Sequence, residues 1–350
     1  MAAHQAIQDE ARPGAHRVTF SPKGATLVCP PGMAILDASM AAGYFPRHSC
    51  RRGQCQACAY RLLSGSVRYP NGFETASLPP GHCLTCIAIP ECDVVIDAPD
   101  ISAEPRQRTS QFGARVVSNT RVASDVAVLR LQAPAAAEFH FAAGQYVDVI
   151  LRDGSRRSYS MANAPDDSGV IEWHVRAMPG GRFSCHAYEA LKARDLLRIE
   201  GPFGNFRLSS SRLPVILLAS GTGYAPIAAI LKSHGAELAA RGGYLYWGAR
   251  RREDIYAWEE AQALCARFGN VHFVPVLSDP AGDWLGRSGL VHEAVLQDFQ
   301  DLSGHEVYAC GNPLMVDSAR AAFVRERGLP ATAFFSDAFV TGLTVRQGDS

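Results

Sequence analysis

The sequence predicts a three-part chain: an α+β segment at residues 17–100, a strand-rich antiparallel segment at 114–209, and an α/β segment with a parallel sheet at 210–340. Three observations carry this division. A length of 350 residues, 47% of them hydrophobic, suits two or three packed cores at the usual domain size. The run Ile171-Glu-Trp-His-Val175 alternates apolar and polar residues with the period of a half-buried strand. Further on, short apolar runs at 213–219, 244–247, 271–276 and 306–309 alternate with helical stretches, the pattern of parallel strands joined by helices.

Each segment has its own local signals. The first opens with a hairpin, strands at 18–20 and 26–29 turning at Lys23-Gly24. A helix over 33–42 stops at Gly43, the closely spaced cysteines follow, and a strand at 93–96 closes the segment. The polar stretch 101–113 reads as a linker. In the second segment, 145–151 is another strand and 185–191 a helix. In the third, the strand at 215–219 runs through a glycine turn into a helix at 227–231.

Composition removes several functional classes. Lys and Arg total 34 and Asp and Glu total 34, so no net field recommends nucleic acid or an anionic membrane as partner. No run approaches the ~20 apolar residues of a membrane helix. The opening residues 1–16 are polar and lack the apolar core of a secretory signal, so they read as a loose tail. Ten cysteines without an export signal suit metal or redox chemistry better than disulfides, and the expected compartment is the cytoplasm.

The cysteines are the densest signal. Cys50, Cys55 and Cys58 are separated by four and then two residues, and a further 27 residues separate Cys58 from Cys86. That spacing matches the plant-type 2Fe–2S ligand run, in which soft thiolates hold iron within a loop. Gly53 suits such a loop because it tolerates backbone angles closed to other residues. A four-cysteine zinc site is the alternative, since Cys55-x-x-Cys58 and Cys83-x-x-Cys86 form two knuckles; it leaves Cys50 idle. The Cys-x-His pairs of a Rieske centre are absent. Cys29, Cys185 and Cys265 lie in apolar contexts and read as core fillers.

Two further constellations follow. Arg157-Ser-Tyr159-Ser160 sets a guanidinium, an aromatic face and a hydroxyl on one extended run, suited to a phosphate and a planar ring. Alone it could be a solvated strand end. Pro179-Gly180-Gly181-Arg182-Phe183-Ser184 then leads into a helix, an arrangement in which backbone amides can approach a pyrophosphate; Gly201-Pro-Phe-Gly204 follows another strand. In the third segment Ser220-Gly221-Thr222-Gly223-Tyr224-Ala225-Pro226 is a strand–turn–helix phosphate site, with Pro226 in the third glycine's place. Tyr246-Trp-Gly-Ala-Arg250 and Cys310-Gly311-Asn-Pro313 occur at later strand ends.

In this order the motifs resemble the ferredoxin–NADP reductase superfamily with an N-terminal plant-type ferredoxin domain, in particular the reductase components of bacterial multicomponent oxygenases. The resemblance spans about residues 17–340. It implies an α+β β-grasp ferredoxin domain, an antiparallel β-barrel flavin domain and an α/β nucleotide-binding domain. It also implies Cys86 as fourth cluster ligand, with Cys83 and Cys92 as the nearby alternatives. By the same resemblance Arg157 binds flavin phosphate, Tyr159 packs on the isoalloxazine and Ser160 bonds near its reactive nitrogen. Gly181, Arg182 and Ser184 cradle a pyrophosphate, which favours FAD over FMN. Gly221, Thr222, Gly223 and Gly311 hold the nucleotide, Thr222 and Cys310 lie where nicotinamide meets flavin, and Phe339 closes on the flavin. Ser160, Thr222 and Cys310 are the implied catalytic residues. Arg250, Arg251 and Arg252 would accommodate the 2′-phosphate of NADPH, whereas relatives with a similar Trp-Gly-Ala-Arg run often use NADH. Gln56, Ser220 and Tyr224 depart from the usual residues at their positions.

The implied activity passes electrons from NAD(P)H through FAD and a 2Fe–2S cluster near ~−400 mV to an oxygenase or hydroxylase, as in aromatic compound degradation. A reductase of CDP-6-deoxy-hexulose (glucoseen) intermediates shares the architecture. A zinc-stabilised or redox-sensing protein without turnover is the non-enzymatic alternative.

Overall fold

The computed structural model describes residues 13–48, 51, 53, 58–70, 73, 78–99, 101, 109–166 and 168–339. The chain divides into two compact units, Met1–Arg106 and Gln107–Ser350.

The first unit contains β1 (His16–Ser21), β2 (Ala25–Cys29), α1 (Ile35–Ala41), β3 (Ala59–Ser64), β4 (Val67–Arg68), β5 (His82–Leu84), β6 (Ile89–Pro90) and β7 (Val94–Asp97). Its sheet runs β2-β1-β7-β3-β5. β1 and β7 are parallel, and β2, β3 and β5 pair antiparallel with their neighbours. This is a β-grasp arrangement: a mixed sheet closed on one face by a helix. α1 buries Ile35 and Ala38 among Val18, Phe20, Tyr60 and Ile96. Leu36 faces a smaller cluster with Cys58, Leu84 and Cys86. The helix thereby holds the cysteine-bearing segments down onto the sheet.

The second unit begins with β8 (Ser110–Arg121), β9 (Val126–Gln132), β10 (Tyr146–Ile150), β11 (Arg156–Ser160), β12 (Val170–Arg176), α2 (Arg182–Glu189) and β13 (Leu196–Phe203). The order is β11-β10-β13-β8-β9-β12, antiparallel throughout. The sheet curls until its edge strands meet: Tyr159 of β11 stacks on Trp173 of β12 at 5.2 Å. Two expectations change. β8 starts at Ser110, inside the stretch read as a linker, because Gln111 and Phe112 pair with Glu200 and Ile199 of β13. β12 is buried on both faces, since its polar residues Glu172 and His174 are each only 5% exposed. Alternation identified a strand but not what covers its polar side.

The chain continues through β14 (Val215–Ser220), α3 (Tyr224–Arg241), β15 (Gly243–Ala249), α4 (Trp258–Arg267), β16 (Val271–Leu277), β17 (Arg287–Ser288), α5 (Val291–Asp298), β18 (Glu306–Gly311), α6 (Pro313–Arg327) and β19 (Phe334–Ala338). These strands form a parallel sheet, β17-β16-β15-β14-β18-β19. The apolar Val215–Ala219 run is fully buried, as a central parallel strand covered on both faces must be. In such sheets ligands bind beyond the carboxyl ends of the strands. The Gly221–Gly223, Arg250 and Gly311 positions all lie there.

Candidate functional site

In the first unit, Cys58 immediately precedes β3 and Cys86 follows β5. Thr85 ties the two segments together, donating both its amide (3.2 Å) and its hydroxyl (3.3 Å) to the Cys58 carbonyl. Cys58 and Cys86 share one buried cluster, whereas Cys83, facing Tyr60 across the β3–β5 ladder, belongs to the main core with Val18 and Phe20. Burial, with the nearby Cys58 adding to it, pushes the Cys83 thiol up to about 12. Among the described residues, no three His, Cys, Asp or Glu side chains converge as a metal site. Cys50 and Cys55 lie outside the described residues, as does Gln56. Gly53, between them, has φ +77°, and a Cβ there would meet Ile87 at 2.4 Å and Phe73 at 2.9 Å. Gly53 therefore packs closely against these two side chains.

In the second unit, the flavin-type strand β11 ends at Ser160, whose hydroxyl donates to Asp337 Oδ2 at 3.2 Å. Asp337 lies on β19, directly opposite Cys310 of β18. Cys310 is fully buried, and burial, then the Asp337 charge, hold its thiol well above the ordinary range. Ser160 and Cys310 thus come together around Asp337. The sequence alone assigns Asp337 no role, although it is the one acid in β19. The Phe339 amide donates to the Gly311 carbonyl at 2.7 Å, and its ring packs on the nucleotide-domain core.

Tyr159 lies against Trp173 at 5.2 Å and Phe183 at 5.4 Å, and burial keeps its phenol protonated. Arg157 donates to the Arg156 carbonyl at 2.7 Å, and no carboxylate pairs with it among the described residues. Gly181 caps α2, which starts at Arg182 and not at 185. Ser184 knits this turn, accepting from the Met178 amide at 3.1 Å and donating to the Gly181 carbonyl at 3.4 Å. Arg182 points away from the turn to pair with Asp153. Cys185 is only partly buried and donates to the Met178 carbonyl at 3.1 Å, so it is part of this turn and not a core filler. First-turn amides of a helix lack intrahelical partners, and a helix start between glycines offers them to an anion.

The second turn, Gly221–Gly223, opens α3. It packs against the end of β18: a Cβ on Gly223 would meet the Cys310 carbonyl oxygen at 2.2 Å, and one on Gly311 would meet Ser220 at 2.4 Å. Ser220 Oγ accepts from the Asn312 amide at 2.9 Å. Thr222 is half-buried in this turn. Arg176 reaches it from β12, its guanidinium 3.0 Å from where a Gly221 Cβ would lie. The three arginines after β15 all face partners. Arg250 and Arg251 lie 3.6 and 3.7 Å from Asp279, and Arg252 covers the Trp258 ring at 3.7 Å beside Glu259.

Three known domain families match the chain in succession. Residues 18–91 match the 2Fe-2S iron-sulfur cluster binding domain, 113–208 the oxidoreductase FAD-binding domain, and 217–321 the oxidoreductase NAD-binding domain. The chain is 37% identical over 325 residues to the CDP-6-deoxy-L-threo-D-glycero-4-hexulose-3-dehydrase reductase of Yersinia pseudotuberculosis serotype I, covering 92% of this chain and 98% of that protein. It is 36% identical over 335 residues to reductase component 2 of a Comamonas terephthalate 1,2-dioxygenase, covering 94% and 98%. The crystal structure of an Amycolatopsis cytochrome P450 reductase is similar with a TM-score of 0.76 at 30% identity, covering 93% of this chain and 99% of that one.

Proposed function

This chain belongs to the ferredoxin–flavin reductases, NAD(P)H-dependent oxidoreductases that bind FAD and a 2Fe–2S cluster, and we propose that it delivers single electrons to a partner oxygenase or hydroxylase that acts on aromatic compounds. The observation that carries the reading is the junction of Ser160, Asp337 and Cys310, where the flavin strand meets the strand end beside the nucleotide turn. When bound, the flavin accepts a hydride as an electron pair and gives up the electrons one at a time, which suits a one-electron cluster. The chain's own residues hold the two redox partners in register. Arg157 and the Gly181 turn bind FAD phosphates, Ser160 orients the flavin edge, and the Gly221–Gly223 turn binds the nucleotide phosphates. Thr222 and Cys310 flank the nicotinamide. Cys50, Cys55, Cys58 and Cys86 hold the cluster.

NADH is the proposed donor. Asp279 lies beside both Arg250 and Arg251 and competes with a 2′-phosphate for them. The reductase role in CDP-hexulose deoxygenation is the second reading, supported by the 37% identical Yersinia relative. Anaerobic titration tests the common part: NADH should bleach both flavin and iron–sulfur absorbance, and a flavin that neither nucleotide reduces would refute it. Purified acceptors then separate the readings, since electrons should reach an oxygenase iron centre and not a hexulose dehydrase. For the cluster, C86S should remove the iron–sulfur spectrum and acceptor reduction while NADH still reduces flavin. C83S should keep the spectrum; the reverse pattern would reassign the ligand.

A further inference from the structure

We propose that Lys232 with Glu172, and His174 with Tyr256, form a latch between the flavin sheet and the nucleotide sheet that sets the alignment for hydride transfer. This rests on the reductase reading above. The starting observation is β12. Side chains alternate across a strand, so Ile171, Trp173 and Val175 fill the barrel core while Glu172, His174 and Arg176 share the opposite face. That polar face is buried, and elements of the nucleotide domain help to cover it.

A buried carboxylate is costly unless it is paired and hydrogen-bonded. Glu172 has three partners: Arg130 Nε at 2.8 Å, Lys232 Nζ at 3.4 Å and His174 Nε2 at 3.6 Å. Burial pushes its carboxyl up, but His174, Lys232 and Arg130 together hold it well below the usual carboxylate range. Arg130 and His174 belong to the flavin domain, whereas Lys232 comes from α3. Lys232 makes two more contacts, donating to the Ala162 carbonyl at 3.1 Å and pairing with Glu260 of α4 at 2.9 Å. Ala162 follows Ser160 by two residues, and its amide donates to the Glu172 carbonyl at 2.8 Å. α3 opens directly after Gly223. One lysine therefore ties the segment behind Ser160 to the helix behind Thr222.

The second half of the latch lies beside it. His174 Nδ1 and the Tyr256 hydroxyl share a hydrogen bond of 2.7 Å. Tyr224, the first residue of α3, stacks on Trp247 at 4.0 Å and lies 6.2 Å from His174. This aromatic wall gives the nucleotide turn a fixed seat against β12. None of these side chains needs to touch a reacting atom, so they act as positioning residues. Hydride transfer is sensitive to such positioning, because a displacement of about 1 Å can cost on the order of 100-fold in rate.

The test uses the cofactor-loaded enzyme and anaerobic stopped-flow reduction by NADH. K232M should lower the flavin-reduction rate constant about 10- to 100-fold, with nucleotide affinity changed by less than about 3-fold. The long-wavelength charge-transfer absorbance of the nucleotide–flavin complex should weaken with it, and K232R should recover part of both. Y256F deletes one hydrogen bond and little volume, so a fall of about 3- to 10-fold is expected; it decides the matter if K232M fails to retain FAD. Unchanged rates in both variants would overturn the latch and leave the reductase reading intact. A parent enzyme that NADH and NADPH both fail to reduce would overturn both.

Discussion

The two glycine turns of the second unit have the same outline in sequence, a glycine pair ahead of a helix, yet their glycines answer to different neighbours. At Gly181 an added Cβ would meet the Ser184 hydroxyl at 2.2 Å and the Met178 carbonyl oxygen at 2.9 Å, both within the same turn. At Gly223 it would meet the carbonyl oxygen and carbon of Cys310 at 2.2 and 2.4 Å and Gly311 Cα at 2.6 Å. Those atoms are backbone of a different strand. The first glycine is demanded by local turn chemistry, which a side-chain rotation can partly relieve. The second is demanded by closure of the parallel sheet, where the end of β14 and the end of β18 pass too closely for any side chain. A phosphate-binding signature therefore contains two kinds of glycine, one serving the turn and one serving the fold that presents it.

The comparison breaks most readily at Gly223. G223A forces backbone apart in a packed sheet, so a loss of about 3 kcal/mol is expected, a fall of about 6–12 °C in the melting temperature of a domain this size. NADH reduction should fail with it, while the iron–sulfur spectrum of the first unit persists. G181A should cost less, about 1–2 kcal/mol, and the cost should depend on Ser184. In an S184A background the hydroxyl that meets the new methyl is gone, so G181A should cost measurably less there than in the parent. Additive effects of the two substitutions in calorimetry would show that the Met178 carbonyl, and not Ser184, sets the constraint.

Much of this arrangement is legible in the sequence, for identifiable reasons. The hairpin around Lys23-Gly24 and the apolar 215–219 strand are local patterns, and each appears within a few residues of its expected place. What escaped depends on a second element. The start of β8 at Ser110 is fixed by pairing with β13, which the polar local sequence does not reveal. Glu172 and His174 looked like the wet side of a strand, because periodicity cannot say that α3 and α4 supply elements against it. Asp337 carried no spacing signal; it matters because β18 and β19 place it opposite Cys310 and within reach of Ser160. Cys83 and Cys86, three residues apart, fall in different buried clusters because Cys83 sits on β5 and Cys86 lies beyond its end.

Gly180 gives the smallest and sharpest form of the comparison. Its φ is +72°, and a Cβ there would meet no protein atom within 4 Å. Neither the turn's own atoms nor a neighbouring strand excludes a methyl group, so only the left-handed backbone opposes it. G180A should thus cost about 1 kcal/mol in the apoprotein, and G180N less, since asparagine tolerates that conformation. If the glycine serves the turn alone, FAD affinity should fall by no more than this strain implies, and G180N should restore it. If affinity falls further in both variants while apoprotein stability follows the strain, the side of the turn that Gly180 leaves open is where the pyrophosphate approaches. Gly180 would then be the ligand's glycine, with Gly181 the turn's and Gly223 the fold's.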